Sequence, residues 1–150
     1  MFRGVNILNL DGKGRIAMPT RYREPLLDRC AGNLVVTVDP DHCLLIYPMG
    51  EWEEIERKLN RLPSFNKTAR ALQRLLVGHA TECEMDGSGR ILVPPPLRSF
   101  ASLDKRAVLI GQGNKFELWD EQRWNDSCEQ WLGDSRLSEE LPAELESLSL

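Results

Sequence analysis

Short apolar runs separated by turn residues dominate the chain and predict a β-rich protein. In the first third, two strand-like segments flank a glycine turn and two more flank an Asp-Pro-Asp turn. These predicted strands are Val5–Leu10, Arg15–Met18, Leu34–Val38 and Cys43–Tyr47. The same order of strands and turns returns in the last half, with predicted strands Thr81–Met85, Arg90–Val93, Val108–Ile110 and Phe116–Trp119.

Helical spacing of apolar residues predicts helices between and after these strands. Thr20–Leu27 has the pattern of a short helix, with its first residue as the cap and Pro25 limiting its length. Trp52–Leu62 predicts a longer helix, and a second one starts at a Ser64 cap and runs to Gly78. Leu97–Leu103 predicts another short helix, and the last predicted helix follows an Asp120 cap. The expected fold is mainly β with peripheral α-helices.

One nine-residue segment occurs in two similar copies. Asp11–Pro19 returns as Asp86–Pro94, so the offset is 75 residues in a chain of 150. A repeat at half the chain length predicts two copies of one unit that share a core about a pseudo-twofold axis. Each copy has two glycines within four residues, which allows a sharp turn. We expect that turn at the tip of a hairpin.

The repeat also predicts the domain organisation. Residues 1–52 form a first half and residues 81–132 a second half. Residues 53–80 form a two-helix linker between them. After Gly133 the sequence becomes polar and acidic, and residues 133–150 are predicted to be a loosely ordered tail.

Composition places the chain among ordinary globular proteins. Hydrophobic residues make up 41% and charged residues 28% of the sequence, and no apolar run approaches the roughly 20 residues of a membrane span. No apolar stretch follows the first four residues as in a signal peptide, so we expect a cytoplasmic protein without a membrane partner. The four cysteines form no Cys-x-x-Cys pair and are expected to be reduced core residues. We expect neither a cofactor nor a metal.

Charge is distributed unevenly along the chain. The formal net charge is −4, but residues 117–150 hold ten acids and two bases, which leaves +4 on residues 1–116. The two copies of the repeat also differ: residues 3–23 contain five bases and one acid, whereas residues 82–98 contain two bases and three acids. A phosphate backbone is attracted to the first of these segments, so we expect the first half to carry any nucleic-acid contact.

Two interpretations of the repeated turn stay open at this point. An Asp before Gly often only closes a turn, and an Arg four residues later then pairs with it. Two copies, however, favour a surface that recurs for a purpose, and the planar guanidinium of Arg15 is suited to a guanine edge or a phosphate. The sequence has no complete phosphate loop, nucleophile elbow or zinc-protease motif, so we predict no catalytic residues and no enzymatic activity.

These features resemble the MraZ family of bacterial transcription regulators, in which each half is similar to a SpoVT–AbrB domain. The resemblance covers almost all of the chain up to about Leu132. Its specific elements are the paired Asp-x-x-Gly-Arg turns at 11–15 and 86–90, together with residues 19–23 and 113–120. One difference is Ser88, which replaces the lysine of the first turn.

The resemblance implies more than the residue pattern does. It implies a pseudo-twofold, double-split (swapped-hairpin) β-barrel built from two tandem halves. It also implies ring-shaped homo-oligomers that bind double-stranded DNA at short direct repeats in the promoter of the cell-division and cell-wall gene cluster, usually as repressors associated with the nucleoid. By motif, the DNA-binding residues are Lys13 and Arg15, supported by Arg3, Arg21 and Arg23. The residues expected to structure the turns are Asp11, Gly12, Gly14, Asp86, Gly87, Gly89 and Arg90.

An alternative class is a ring-forming scaffold or antitoxin-like module that binds protein through its turns. The two complete halves argue against a single-domain antitoxin. The two classes differ in salt dependence, because DNA binding through several bases weakens steeply with ionic strength and an apolar protein interface does not.

Overall fold

The structure is a computed structural model that describes residues 1–134 and Leu148. Most of the predicted acidic tail, namely residues 135–147 and 149–150, lies outside the described residues.

Antiparallel strands form the framework and confirm the mainly β prediction. Six of them make one sheet in the order β1-β7-β8-β4-β3-β5, and β2 and β6 make a separate two-stranded ribbon. The strands are β1 Phe2–Asn9, β2 Arg15–Ala17, β3 Asn33–Val38, β4 Leu44–Pro48, β5 Thr81–Glu84, β6 Arg90–Leu92, β7 Arg106–Gly113 and β8 Phe116–Asp120.

The two halves interleave in the large sheet. The β7–β8 hairpin of the second half lies between β1 and β4 of the first, and β5 of the second half pairs with β3 of the first. At the centre, β4 and β8 pair with Leu45 opposite Glu117, flanked by the pairs Leu44–Leu118 and Ile46–Phe116. Exchanging the halves maps this register onto itself, so the predicted pseudo-twofold relation holds in the sheet.

The repeated turn is not the tip of a hairpin, and that expectation was wrong. Strand β1 pairs with β7, whereas β2 pairs with β6 of the other half, with Ile16 opposite Ile91. The turn at 11–14 therefore carries the chain from the large sheet into the ribbon. Local sequence could not reveal this, because an alternating strand offers the same pattern to any partner.

The strand pairings do not close into a barrel within the described residues. The large sheet has two edge strands, β1 and β5. The ribbon lies near both edges, since β2 contacts β1 and β6 contacts β5.

One hydrophobic core joins the halves on the ribbon side of the sheet. Ile16 and Ile91 of the ribbon are fully buried against sheet residues such as Leu44 and Leu118. An aromatic cluster extends this core: the Phe116 ring lies 4.3 Å from Phe2 and 5.0 Å from Tyr22, measured between centroids. The two halves therefore share their core and cannot each bury it alone.

Helix α1, Thr20–Cys30, is longer than predicted. Pro19 rather than Thr20 is its cap, without a side-chain hydrogen bond, and the helix continues past Pro25. Pro25 removes one backbone hydrogen bond, but Leu26 next to it is fully buried in the shared core. Tertiary packing thus stabilises α1 beyond Pro25, the residue at which the local sequence predicts its end.

Helix α2, Met49–Asn60, begins before the predicted linker of residues 53–80 and three residues before the predicted helix. Helix α3, Lys67–Leu72, lies within the predicted linker and continues as a π-helical segment over Gln73–Val77. The cap of α3 is Asn66, whose side chain accepts a 3.1 Å hydrogen bond from the Ala69 N–H, and not Ser64 as predicted. The hydroxyl of Thr37 donates a 2.5 Å bond to the Leu76 carbonyl, which ties the π-helical segment to β3. These helices cover the first half of the sheet on the face opposite the ribbon.

The second half contains α4, Pro95–Phe100, and α5, Glu121–Leu132. Helix α5 covers the outer face of β7 and β8 through Trp124. No helix in the described part of the chain is long and apolar enough to cross a membrane. The four cysteines, all within that part, are free; Cys43 is buried as predicted for a core residue, whereas Cys30, Cys83 and Cys128 are only partly buried.

Asp120 caps α5 as predicted, because its Oδ2 atom accepts a 3.1 Å hydrogen bond from the Arg123 N–H. We expect Asp120→Ala to lower the free energy of unfolding by about 0.5–2 kcal/mol. Urea denaturation followed by tryptophan fluorescence measures this, since Trp119 contacts two tryptophans of α5. The matched control, Asp104→Ala in an exposed loop, should change stability by less than about 0.5 kcal/mol. Equal effects of the two variants would contradict the role of the cap.

Candidate nucleic-acid interface

In the first turn, the Asp11 carboxylate organises the loop. Its Oδ1 accepts hydrogen bonds from the backbone N–H groups of Lys13 and Arg15, both at 2.9 Å. Its Oδ2 accepts a 2.7 Å bond from Arg15 Nε, which forms an ion pair. Because Nε makes this bond, the Arg15 guanidinium has a fixed direction at the start of β2.

The second turn has the same geometry. Asp86 Oδ1 accepts from the backbone N–H groups of Ser88 and Arg90 at 2.9 Å, and Arg90 Nε donates to Asp86 Oδ2 at 3.1 Å. The local structure therefore does not distinguish the turns, and each arginine pairs with its own aspartate. What differs is chemical: an exposed Lys13 in one turn and Ser88 in the other.

Hydrogen bonding holds both aspartates in the charged form. The pKa of Asp11 is lowered to about 2, chiefly by the backbone hydrogen bond from Arg15, with the Arg15 guanidinium and the Lys13 N–H adding to it. The pKa of Asp86 is lowered for the same reason, with the Arg90 backbone N–H as the largest cause. The turns therefore stay organised across the physiological pH range.

This lowered pKa predicts a pH dependence. Since the pKa of Asp11 is below its ordinary value of 3.8, the contribution of the turn to stability is complete above about pH 4. It is lost as the pH falls towards 2. We expect Asp11→Asn to be less stable than the wild type at pH 7 and the difference to shrink as the pH falls through this window. An NMR titration of the Asp11 carboxyl carbon tests the cause, and a pKa of 3.8 or higher would contradict it.

Gly14 and Gly89 are required in these turns for two reasons. Their φ angles are +84° and +76°, in the region that favours glycine. Each glycine is also covered by an arginine side chain: a Cβ on Gly14 would lie 2.3 Å from Cζ of Arg98, and one on Gly89 would lie 2.3 Å from Nε of Arg23. Any side chain at either position would displace an arginine.

These arginines come from the opposite half. Arg98 of α4 lies over the first turn, and Arg23 of α1 lies over the second. Backbone hydrogen bonds cross in the same way, since the Gly14 carbonyl accepts from Val93 N–H at 3.0 Å and the Gly89 carbonyl accepts from Met18 N–H at 2.8 Å. Each turn is thus a composite of both halves.

The remaining predicted DNA-binding residues have different environments. Lys13 and Arg3 are exposed. Arg21 is fixed against β1, because its Nη2 donates to Asn6 Oδ1 at 2.5 Å and to Tyr22 Oη at 2.9 Å. Its guanidinium also lies 4.5 Å from the Tyr22 ring centroid. Arg3 and Arg21 line one open cleft of about 220 Å³, together with Arg29 of α1.

The exchange between halves changes the charge distribution that the sequence implied. Arg23 belongs to the basic first segment in sequence, but it packs on the second turn, and Arg98 of the second segment packs on the first. The first turn therefore has Lys13 and Arg15 of its own half, and Arg98 of the other half packs on its Gly14. Arg98 was missed as a site residue, although the 75-residue offset pairs it with Arg23 and was the signal that could have found it.

The fold and the site define a class of protein. Its members are duplicated, exchange strands between their halves, and hold an arginine in a fixed direction in each of two matching turns. The sequence model of the family described as "MraZ protein, putative antitoxin-like" matches residues 1–75 and 76–141. The chain belongs to the MraZ family.

Relatives support this assignment along their whole length. The chain is 62% identical over 150 residues to a protein of Thioalkalivibrio sulfidiphilus named Transcriptional regulator MraZ, with complete coverage of both chains. It is 59% identical over 152 residues to the protein of that name from Halorhodospira halophila and 56% identical over 151 residues to the one from Pseudomonas aeruginosa, again with complete coverage. The family is one of transcriptional regulators and not of enzymes.

Proposed function

We propose that this protein is a sequence-specific DNA-binding regulator that represses transcription. Its targets are short direct repeats in the promoter of the bacterial cell-division and cell-wall gene cluster, which includes its own gene. It acts in the cytoplasm on the nucleoid. The observation that carries the proposal is the first turn, in which Asp11 fixes the direction of the Arg15 guanidinium beside an exposed Lys13.

The arrangement of charges supports DNA as the ligand. A guanidinium held through Nε still has N–H donors on its Nη groups for a second partner, and this planar fork matches a guanine edge or a phosphate. Lys13 adds a mobile positive charge beside it, and the cleft lined by Arg3 and Arg21 adds further positive charge on the same half. Phosphate contacts position such a protein, and base contacts select the site.

Assembly into a ring would give the small turn enough affinity. A single turn buries little surface and binds DNA weakly. Linking identical turns makes the later contacts intramolecular, which raises avidity by about 10²–10⁴ when the spacing of the DNA repeats fits. In the protomer, the proximity of the ribbon to both sheet edges supports the double-split barrel as the description of the fold.

Binding to a labelled DNA fragment from upstream of the protein's own gene tests the proposal. We expect the wild type to bind this fragment more tightly than a scrambled one of equal length. We also expect the affinity to fall steeply between 50 and 200 mM salt, since six to ten phosphate contacts correspond to a loss of about 10³–10⁵-fold. Equal affinity for both fragments would contradict sequence-specific binding. Absence of binding at low salt would overturn the proposal that the protein binds DNA.

The second candidate is an antitoxin-like protein-binding module. It is favoured by one observation, the description of the family as putative antitoxin-like. A chain of this kind would bind a protein partner with little dependence on salt and would not discriminate between the two DNA fragments. The same salt series therefore separates the two functions.

A further inference from the structure

We propose that Arg98 is a positioning residue for DNA binding, and that it acts from the second half on the turn of the first half. This inference rests on the proposed function. It assigns a role to a residue outside both Asp-x-x-Gly-Arg motifs. Arg23 has the reciprocal role at the second turn.

The packing at Gly14 is the first argument. The Arg98 guanidinium lies so close to Gly14 that a Cβ there would be 2.3 Å from Cζ and Nη1 and 2.7 Å from Nε. Gly14 directly precedes Arg15, and its buried backbone turns at positive φ to start β2. A rigid, planar group covering this point limits how far the turn can move, and it thereby limits the directions available to Arg15.

The reciprocity of the arrangement is the second argument. Arg23 covers Gly89 in the same way, with its Nε, Cδ and Cζ 2.3–2.7 Å from a Cβ position. Both the arginines and the glycines are related by the 75-residue offset. The same contact therefore forms twice, each time between the two halves. This recurrence indicates that the arginine is a regular structural component of the turn.

The two contacts differ in one respect that bears on function. Arg23 Nε donates a 2.8 Å hydrogen bond to the Met18 carbonyl, which fixes its side chain. Arg98 Nε is buried and has no hydrogen-bond partner within the described part of the chain. Arg98 therefore lacks the hydrogen bond that Nε of Arg23 makes at the second turn, and its contact with Gly14 is one of packing.

Substitution by methionine tests the proposal, because it keeps an unbranched side chain and removes the planar charged group. We expect Arg98→Met to weaken binding to the upstream DNA fragment about tenfold or more. A positioning residue makes no phosphate contact, so the slope of log affinity against log salt should stay unchanged. Arg98→Lys should not restore affinity, since an ammonium cannot lie flat on Gly14. Arg57→Met, at an exposed position of α2, is the control for loss of one positive charge.

A readout without DNA separates this inference from the proposed function. In hydrogen exchange, Arg98→Met should speed exchange of the Gly14 and Val93 amides, and Arg23→Met that of the Gly89 and Met18 amides. Each variant should leave the other turn protected. Failure of the wild type to bind DNA would overturn the proposed function but leave this test intact. Unchanged amide exchange, unchanged DNA affinity, or a salt slope reduced by about one in Arg98→Met would each overturn the positioning role.

Discussion

Replacing Arg15 by Gln is expected to abolish most of the specific DNA binding. A good bidentate contact from arginine to a base contributes about 1–3 kcal/mol, which corresponds to roughly 5- to 150-fold in affinity. In the proposed ring, every subunit on the DNA would lose its contact, so we expect a loss well above tenfold. Fluorescence anisotropy with the upstream fragment at fixed salt measures it.

Arg90→Gln is the matched control for this experiment, because the two turns have the same hydrogen bonds at nearly the same distances. Both variants lose an exposed ion pair, so each should lower the free energy of unfolding by no more than about 1 kcal/mol. Only Arg15→Gln should lose DNA binding. If Arg90→Gln abolished binding while Arg15→Gln retained it, the assignment of the contact to the first turn would be wrong.

Phe116→Ala is expected to be the most destabilising single substitution considered for this chain. The side chain is completely buried and contacts the rings of Phe2 and Tyr22. Removing a buried Phe side chain costs about 3–5 kcal/mol, because transfer free energy is lost and a cavity stays behind. Because Phe2 and Tyr22 belong to the first half and Phe116 to the second, we also expect both halves to unfold in one cooperative transition.

Phe65→Ala provides a control of the same residue type. Its side chain is 88% exposed, so the substitution should change stability by less than about 0.5 kcal/mol. Urea denaturation followed by circular dichroism and by tryptophan fluorescence gives both quantities. A loss below 1 kcal/mol for Phe116→Ala, or separate transitions by the two probes, would contradict a core shared by the halves.

Local elements of this fold could be predicted from sequence where the signal is itself local. The eight strands lie close to the predicted apolar runs, and the Asp120 cap of α5 is where the sequence places it. The errors occur where packing overrides local preference. Helix α1 passes Pro25, and Leu26 next to it is buried. Helix α3 begins after Asn66 instead of Ser64, because the Asn66 side chain accepts a hydrogen bond from the Ala69 N–H.

Part of the candidate site could likewise be predicted from the sequence, and part of it could not. The bonds within each turn follow from the Asp-x-x-Gly-Arg spacing, because Asp and Arg are only four residues apart. The partner of each turn does not follow from spacing. Arg98 is more than eighty positions from Gly14, and only the exchange of strands between halves brings it there.

The sequence by itself determined that the chain is a duplicated, mainly β protein with two matching arginine turns, because a repeat and short-range hydrogen bonds are encoded locally. Only the tertiary structure decided which half completes which turn. Strand alternation allows many pairings, and burial of Ile16, Ile91 and Phe116 in one core selects the interleaved one. That choice places Arg23 on Gly89 of the second turn and Arg98 on Gly14 of the first.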